Sequence, residues 1–236
     1  MKNHYINNFK GLFTSIVIIC FLSIIVCILL YEPIDNICSV LNKIAVEKDL
    51  GWLSKVGYSF QPITFSAAFT IFWFLFDKFC WKIVAKFGAF TNLNGTWKGT
   101  LTTSYVENGI SKQLFCVMVI KQTFTKISAE CYFADYNTIK VLSSHSTGYN
   151  FIIDNRGPVK EIVFSYRNIK ENNDSPEANH PGFNRFSIGE HKLIGEYCTF
   201  RNQNTFGEIH LEWFNKDTTY RKEIWTKKNF NSKKGK

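Results

Sequence analysis

Glu208, His210 and Glu212 alternate along one short run, so in an extended strand their side chains share a face. Two carboxylates flanking an imidazole can hold a metal ion or pass a proton. The residues between them argue against that chemistry. Gly207, Ile209, Leu211 and Trp213 form the apolar face, which leaves the charged one to solvent. There is no GxSxG, HExxH, P-loop or Rossmann glycine pattern. The seven cysteines, Cys20, Cys27, Cys38, Cys80, Cys116, Cys131 and Cys198, have no CxxC spacing. An odd count without that spacing speaks against both a disulfide framework and a zinc site. The expectation is therefore a non-enzyme with no catalytic residue, metal or cofactor.

A second constellation suits binding. Gly195, Tyr197, Thr199 and Arg201 share one strand face, against Glu196, Cys198 and Phe200. An arginine or tyrosine near the mouth of a barrel can grip an anion; an exposed arginine at a strand end is the plainer alternative. Trp97, Gly99 and Leu101 likewise oppose Lys98, Thr100 and Thr102. Glycines on the same face as large aromatics are what a tapering barrel needs.

The elements that must position these residues are strands. Runs rich in Thr, Val, Ile, Phe and Tyr fall at Thr96–Tyr105, Lys112–Gln122, Lys126–Ala134, Thr138–Ile153 and Lys160–Ile169. Further runs fall at Arg185–Ile188, Lys192–Phe200, Phe206–Phe214 and Tyr220–Trp225. Glu107-Asn108-Gly109 is a hairpin signal. Asn172–Gly182, with two prolines, is expected to be a long mobile loop. The fold class expected is all-β, a small antiparallel barrel of about eight strands, lipocalin-like.

Ahead of it lie two uncharged stretches, Gly11–Tyr31 and about Val56–Phe76. Twenty-one residues at about 1.5 Å each match a hydrocarbon core of about 30 Å. A signal peptide is the rival for the first, but a small-residue cleavage site is missing before Glu32 and Pro33. Two transmembrane α-helices are expected. Lys2 and Lys10 flank the first, and Lys78, Lys82 and Lys86 follow the second. The positive-inside rule puts both termini in the cytoplasm, in a two-pass arrangement. Ile37, Val40, Leu41 and Ile44 in the connection predict a short amphipathic helix, with Asp35 capping its start and Gly51 helping to end it. Ser15, Ser23, Ser66 and Thr70 suit helix–helix contacts. The domains expected are a two-helix anchor (1–90), a cytoplasmic barrel (91–230) and a basic disordered tail (231–236). The formal charge of +9 is concentrated after the spans. The segment Arg221–Lys236 is expected to be a solubilising tail rather than a site for a nucleic acid polymer.

The ordered set of Leu93-Asn94-Gly95-Thr96-Trp97-Lys98-Gly99, Lys121-Gln122-Thr123-Phe124, Phe164-Ser165-Tyr166-Arg167-Asn168 and His180-Pro181-Gly182 carries a resemblance. So do the run from Leu193 to Arg201 and Thr205-Phe206-Gly207-Glu208-Ile209. With both spans, the chain resembles the two-transmembrane β-barrel effectors of bacterial cyclic-oligonucleotide antiphage signalling (CBASS). Phe124 departs from the pattern, which has tryptophan after Gln-Thr.

The resemblance implies a barrel that binds a cyclic dinucleotide made by a partner nucleotidyltransferase. It further implies homo-oligomers on activation and disruption of the bacterial inner-membrane lipid by the spans. It assigns Arg201 and Arg167 to phosphate, Tyr166 and Trp97 to stacking or pocket walls, and Gln122, Asn168 and Thr205 to base edges; plain core is the other reading of Trp97. The rival function is a membrane-anchored, lipocalin-like carrier of a lipid or small apolar ligand.

Overall fold

The computed structural model describes residues 9–49, 65–86, 91–107, 109–154, 158–170, 179–200, 204–226 and 230. It divides into two compact units, Asn8–Phe90 and Thr91–Lys236 with Met1–Asn7.

In the first unit a single helix, α1 (Phe9–Glu47), runs for 39 residues. At about 1.5 Å per residue it is roughly twice as long as a hydrocarbon core is thick. The expected separate amphipathic helix is thus not separate: Ile37, Val40, Leu41 and Ile44 continue α1, and Asp35 is an interior residue rather than a cap. Pro33 lies inside the helix. It lacks one amide donor just past the apolar run, where the orphaned carbonyl can reach water, so the helix passes through it. Ser15, Ile19 and Ser23, spaced four apart, form a buried stripe, while Val17, Ile18, Phe21 and Ile28 are exposed. The Ser23 hydroxyl donates to Ile19 O at 2.8 Å.

Among the described residues one helix is long and apolar enough to cross a membrane, not the two expected. The second expected span begins outside the described residues. Its remainder is helical, α2 (65–75), followed by a π-helical turn, Phe76–Cys80, and α3 (Trp81–Lys86).

The second unit is a closed eight-stranded barrel with its strands in chain order. They are β1 (Gly95–Glu107), β2 (Ile110–Gln122), β3 (Ile127–Asp135), β4 (Val141–Asp154), β5 (Lys160–Lys170), β6 (Pro181–Gly189), β7 (Lys192–Thr199) and β8 (Phe206–Asn215). Every neighbouring pair is antiparallel, and β8 closes on β1, so no edge is left unpaired. Gly109 turns the first hairpin with φ +79°, a conformation that disfavours a side chain. Two expectations about the strands need correction. β6 starts at Pro181 rather than Arg185, taking in the end of the expected loop, whose residues 172–178 lie outside the described set. Tyr220–Trp225 is not a strand, because the closed sheet has no edge to receive one.

Residues 217–226 instead pack on the outside of the barrel around a short 3-10 turn, Lys222–Ile224. The Tyr220 ring stacks on Tyr132 at 3.7 Å and its hydroxyl accepts a hydrogen bond from Trp225 Nε1 at 2.7 Å. Ile224 is buried with Val117 and Val119 of the outer face of β2. Phe230 stacks on Trp225 and packs against Phe115. The expected solubilising tail therefore begins no earlier than these contacts.

Inside the barrel the two ends differ. At the end where β1 begins, Trp97, Met118, Phe164, Phe186 and Leu193 fill the lumen as one apolar cluster. A backbone irregularity in β4 between Tyr149 and Ile152, with Asn150 at φ 55°, shifts the alternation by one. It turns Phe151 inward, over Gly148, where a β-carbon would meet the Phe151 ring at 2.7 Å. The opposite end is open.

Candidate functional site

The open half of the lumen is a cavity of about 480 Å³ lined from all eight strands, within the size range of small-molecule sites. Its buried lining includes Leu101, Cys131 and Ile209 with the rings of Tyr166 and Tyr197, and Leu114, Phe133 and Leu142 add less buried apolar wall. Neutral hydrogen-bonding side chains complete it: Thr103, Ser146, Asn168, Asn184, Thr199 and Thr205. Lys112, at the start of β2, and His180, just before β6, lie at the mouth.

Two glycines set the tyrosines. A β-carbon at Gly182 would collide with the Tyr166 phenol, and one at Gly207 would lie 2.9 Å from the Tyr197 ring. Each ring therefore lies flat across a neighbouring strand. The Tyr166 hydroxyl donates to Cys198 O at 3.3 Å. Ser146 Oγ donates to Asn168 Oδ1 at 3.1 Å, and Asn168 N donates to His180 O at 2.9 Å, tying the start of β6 to the end of β5. Thr199 and Thr205 meet hydroxyl to hydroxyl at 2.9 Å, and Thr205 N donates to Thr199 Oγ1 at 2.9 Å. This clasp joins the ends of the segment that contains Arg201.

Of the residues expected at the site, Tyr166, Asn168 and Thr205 line the cavity. Arg201 lies outside the described residues. Arg167 is exposed on the outer face, because adjacent strand residues point to opposite sides. Gln122 and Trp97 point inward but at the closed end. Gln122 Oε1 accepts from Leu93 N at 2.7 Å, Gln122 Nε2 donates to Thr91 O at 2.8 Å, and Trp97 Nε1 donates to Leu93 O at 3.0 Å. Their polar atoms are committed to closing the barrel base, so the ligand roles expected for Arg167, Gln122 and Trp97 do not match their positions. Asn184 and His180 were not expected at the site, and Tyr197 only as part of the strand face that could grip an anion. The alternation along Gly195–Arg201 already put Tyr197 on the arginine's face, whereas His180 lies within, and Asn184 just after, a segment whose prolines mask the start of a strand.

Behind the cavity-lining Cys131 lies Cys116, which is fully buried and not set up for nucleophilic chemistry. Hydrogen bonding to Cys131 and burial push the Cys116 thiol up, which keeps it protonated. Glu208 and His210 meet at 3.4 Å on the exposed outer face, away from the cavity.

The cavity thus offers aromatic faces and neutral donors and acceptors among apolar side chains, with Lys112 at the rim. Residues 89–213 match the family model described as Cap15, cyclic dinucleotide receptor domain. The chain belongs to the Cap15 family. A relative, CD-NTase-associated protein 15 of Staphylococcus schleiferi, is 27% identical over 168 residues, 69% of this chain and 81% of the relative. The matched residues contain β1 to β7 and most of β8, so the Cap15 domain is the barrel that holds the cavity.

Proposed function

We propose that this chain is the membrane effector of a cyclic-oligonucleotide antiphage system. Its barrel binds a cyclic dinucleotide supplied by a nucleotidyltransferase, bound barrels self-associate, and the gathered spans disrupt the inner membrane. The observation that carries the proposal is the mouth cavity itself, walled by Tyr166 and Tyr197 and lined with neutral hydrogen-bonding groups, within a cyclic dinucleotide receptor domain. Any nucleobase presents a π-face to a tyrosine, and such stacking is worth about 1–3 kcal/mol per base.

In this reading Tyr166 and Tyr197 stack, and Asn168 and Thr205 contribute polar wall. Arg201 takes a phosphate, a role supported by its flanking residues Thr199 and Thr205, which both line the cavity. The two-pass topology with cytoplasmic termini belongs to the same proposal, supported by the apolar α1 and the lysines flanking the spans. A lipid carrier would want an open apolar lumen. Here the apolar half is filled by side chains, and the open half sets hydrogen-bonding groups among apolar and aromatic ones, which suits a flat base with polar edges better than an acyl chain.

The activation step is tested with the full chain in detergent. Shifting a resting population from about 1:99 to 99:1 requires roughly 5.5 kcal/mol of differential binding. Sedimentation velocity with a cyclic dinucleotide is expected to show larger species, and liposomes carrying the chain are expected to release trapped dye. Ligand binding without any change in size or leakage would remove the effector mechanism and leave a receptor only.

A further inference from the structure

Asn184 is 3% exposed, faces the cavity from β6, and receives no hydrogen bond at Oδ1 from a described residue. It is opposite Tyr197 in the β6–β7 register and lies one inward position deeper than Gly182, across which Tyr166 lies. Placing an amide there is costly: a buried carbonyl without a donor is destabilising, and an apolar residue would pack at this depth beside Phe186 without that cost. The lysine of the wall, Lys112, sits at the other extreme of depth, at the mouth. Phosphates carried down to Asn184 would leave water without a counter-charge, whereas a flat base would meet tyrosine faces on the way.

We infer that Asn184 is a specificity-determining residue that reads a base: the ligand enters base-first, one base passes between the tyrosines, and an N–H on its edge donates to Asn184 Oδ1 while the phosphates stay at the rim. This rests on the proposed cyclic dinucleotide function and names the group that selects the ligand. The carbonyl is screened from solvent, so the contact forms as the wall yields.

Calorimetric titration of the full chain in detergent tests the inference, with the cyclic dinucleotide found to bind best and an analogue in which the edge N–H of its bases is methylated or deleted. The wild type is expected to favour the parent ligand by about tenfold or more, the range seen when a buried polar group loses its partner. Asn184→Leu is expected to lower affinity for the parent by a similar factor and abolish the preference, with an unliganded melting temperature equal to or above that of the wild type. A lower melting temperature with unchanged affinity would make Asn184 a structural residue and overturn the inference. A preference that persists in Asn184→Leu would overturn it too, while leaving the receptor function standing. No binding of any cyclic dinucleotide to the wild type would defeat both, and the wild-type titration alone distinguishes that case.

Discussion

Tyr166 occupies the space that a β-carbon at Gly182 would need. The cross-strand pair of β5 and β6 is therefore a matched unit, with glycine on one strand making the bed for an aromatic wall on the other. Gly182→Ala is expected to push the ring off its bed. Overpacking of this kind costs about 1–3 kcal/mol of stability, and the loss of one stacking face lowers ligand affinity by about tenfold. Chemical denaturation and calorimetry read the two effects separately. An unchanged affinity would mean that Tyr166 is no part of the binding surface.

At the closed end the expectation reverses. Gln122→Ala leaves Leu93 N and Thr91 O without their side-chain partners, which is expected to cost about 2–4 kcal/mol in urea denaturation. Ligand affinity should stay within about twofold. A selective loss of affinity with stability intact would return Gln122 to the ligand.

The outer strap makes a third case. Tyr220→Ala removes both the stack on Tyr132 and the acceptor for Trp225. The expected cost is about 2–4 kcal/mol, with Val117 and Val119 gaining exposure and dye-binding assays reporting it. The cavity lies on the other side of the sheet, so affinity is expected to hold.

Asp135 links pH to the β3–β4 turn at the rim. Hydrogen bonds from the Thr138 amide and hydroxyl, both at 2.8 Å, hold its carboxyl below the ordinary carboxylate value. A depressed folded value means that the contribution to stability is present above the unfolded value, about 3.9, and is lost as pH falls through the folded one. Thr138→Val is expected to raise the Asp135 value toward the ordinary one in an NMR titration. No movement would show that the turn does not depend on these bonds.

Much of the barrel was legible because strand alternation is a strong signal. Gly207, Ile209, Leu211 and Trp213 announce an inner face, and Glu208, His210 and Glu212 an outer one, as the structure has them. The same rule limits the site. Tyr166, Arg167 and Asn168 cannot all face one lumen, and the structure turns Arg167 out. Depth is what alternation does not encode. Trp97, Gln122, Tyr166 and Asn168 all face inward, and only the strand register and the filling of one end put the first two in the base and the last two in the cavity. Nor does composition reveal a strap. Tyr220–Trp225 has the residues of a strand, but a closed sheet offers it only an outer face.

The most direct test of the central claim is calorimetric titration of the full chain in detergent against a panel of cyclic dinucleotides and single-chain lipids, repeated with Tyr197→Ala. The account predicts that a cyclic dinucleotide binds at one per chain, that lipids do not compete, and that Tyr197→Ala weakens binding by about tenfold or more. Binding of lipid with no response to any cyclic dinucleotide would contradict it.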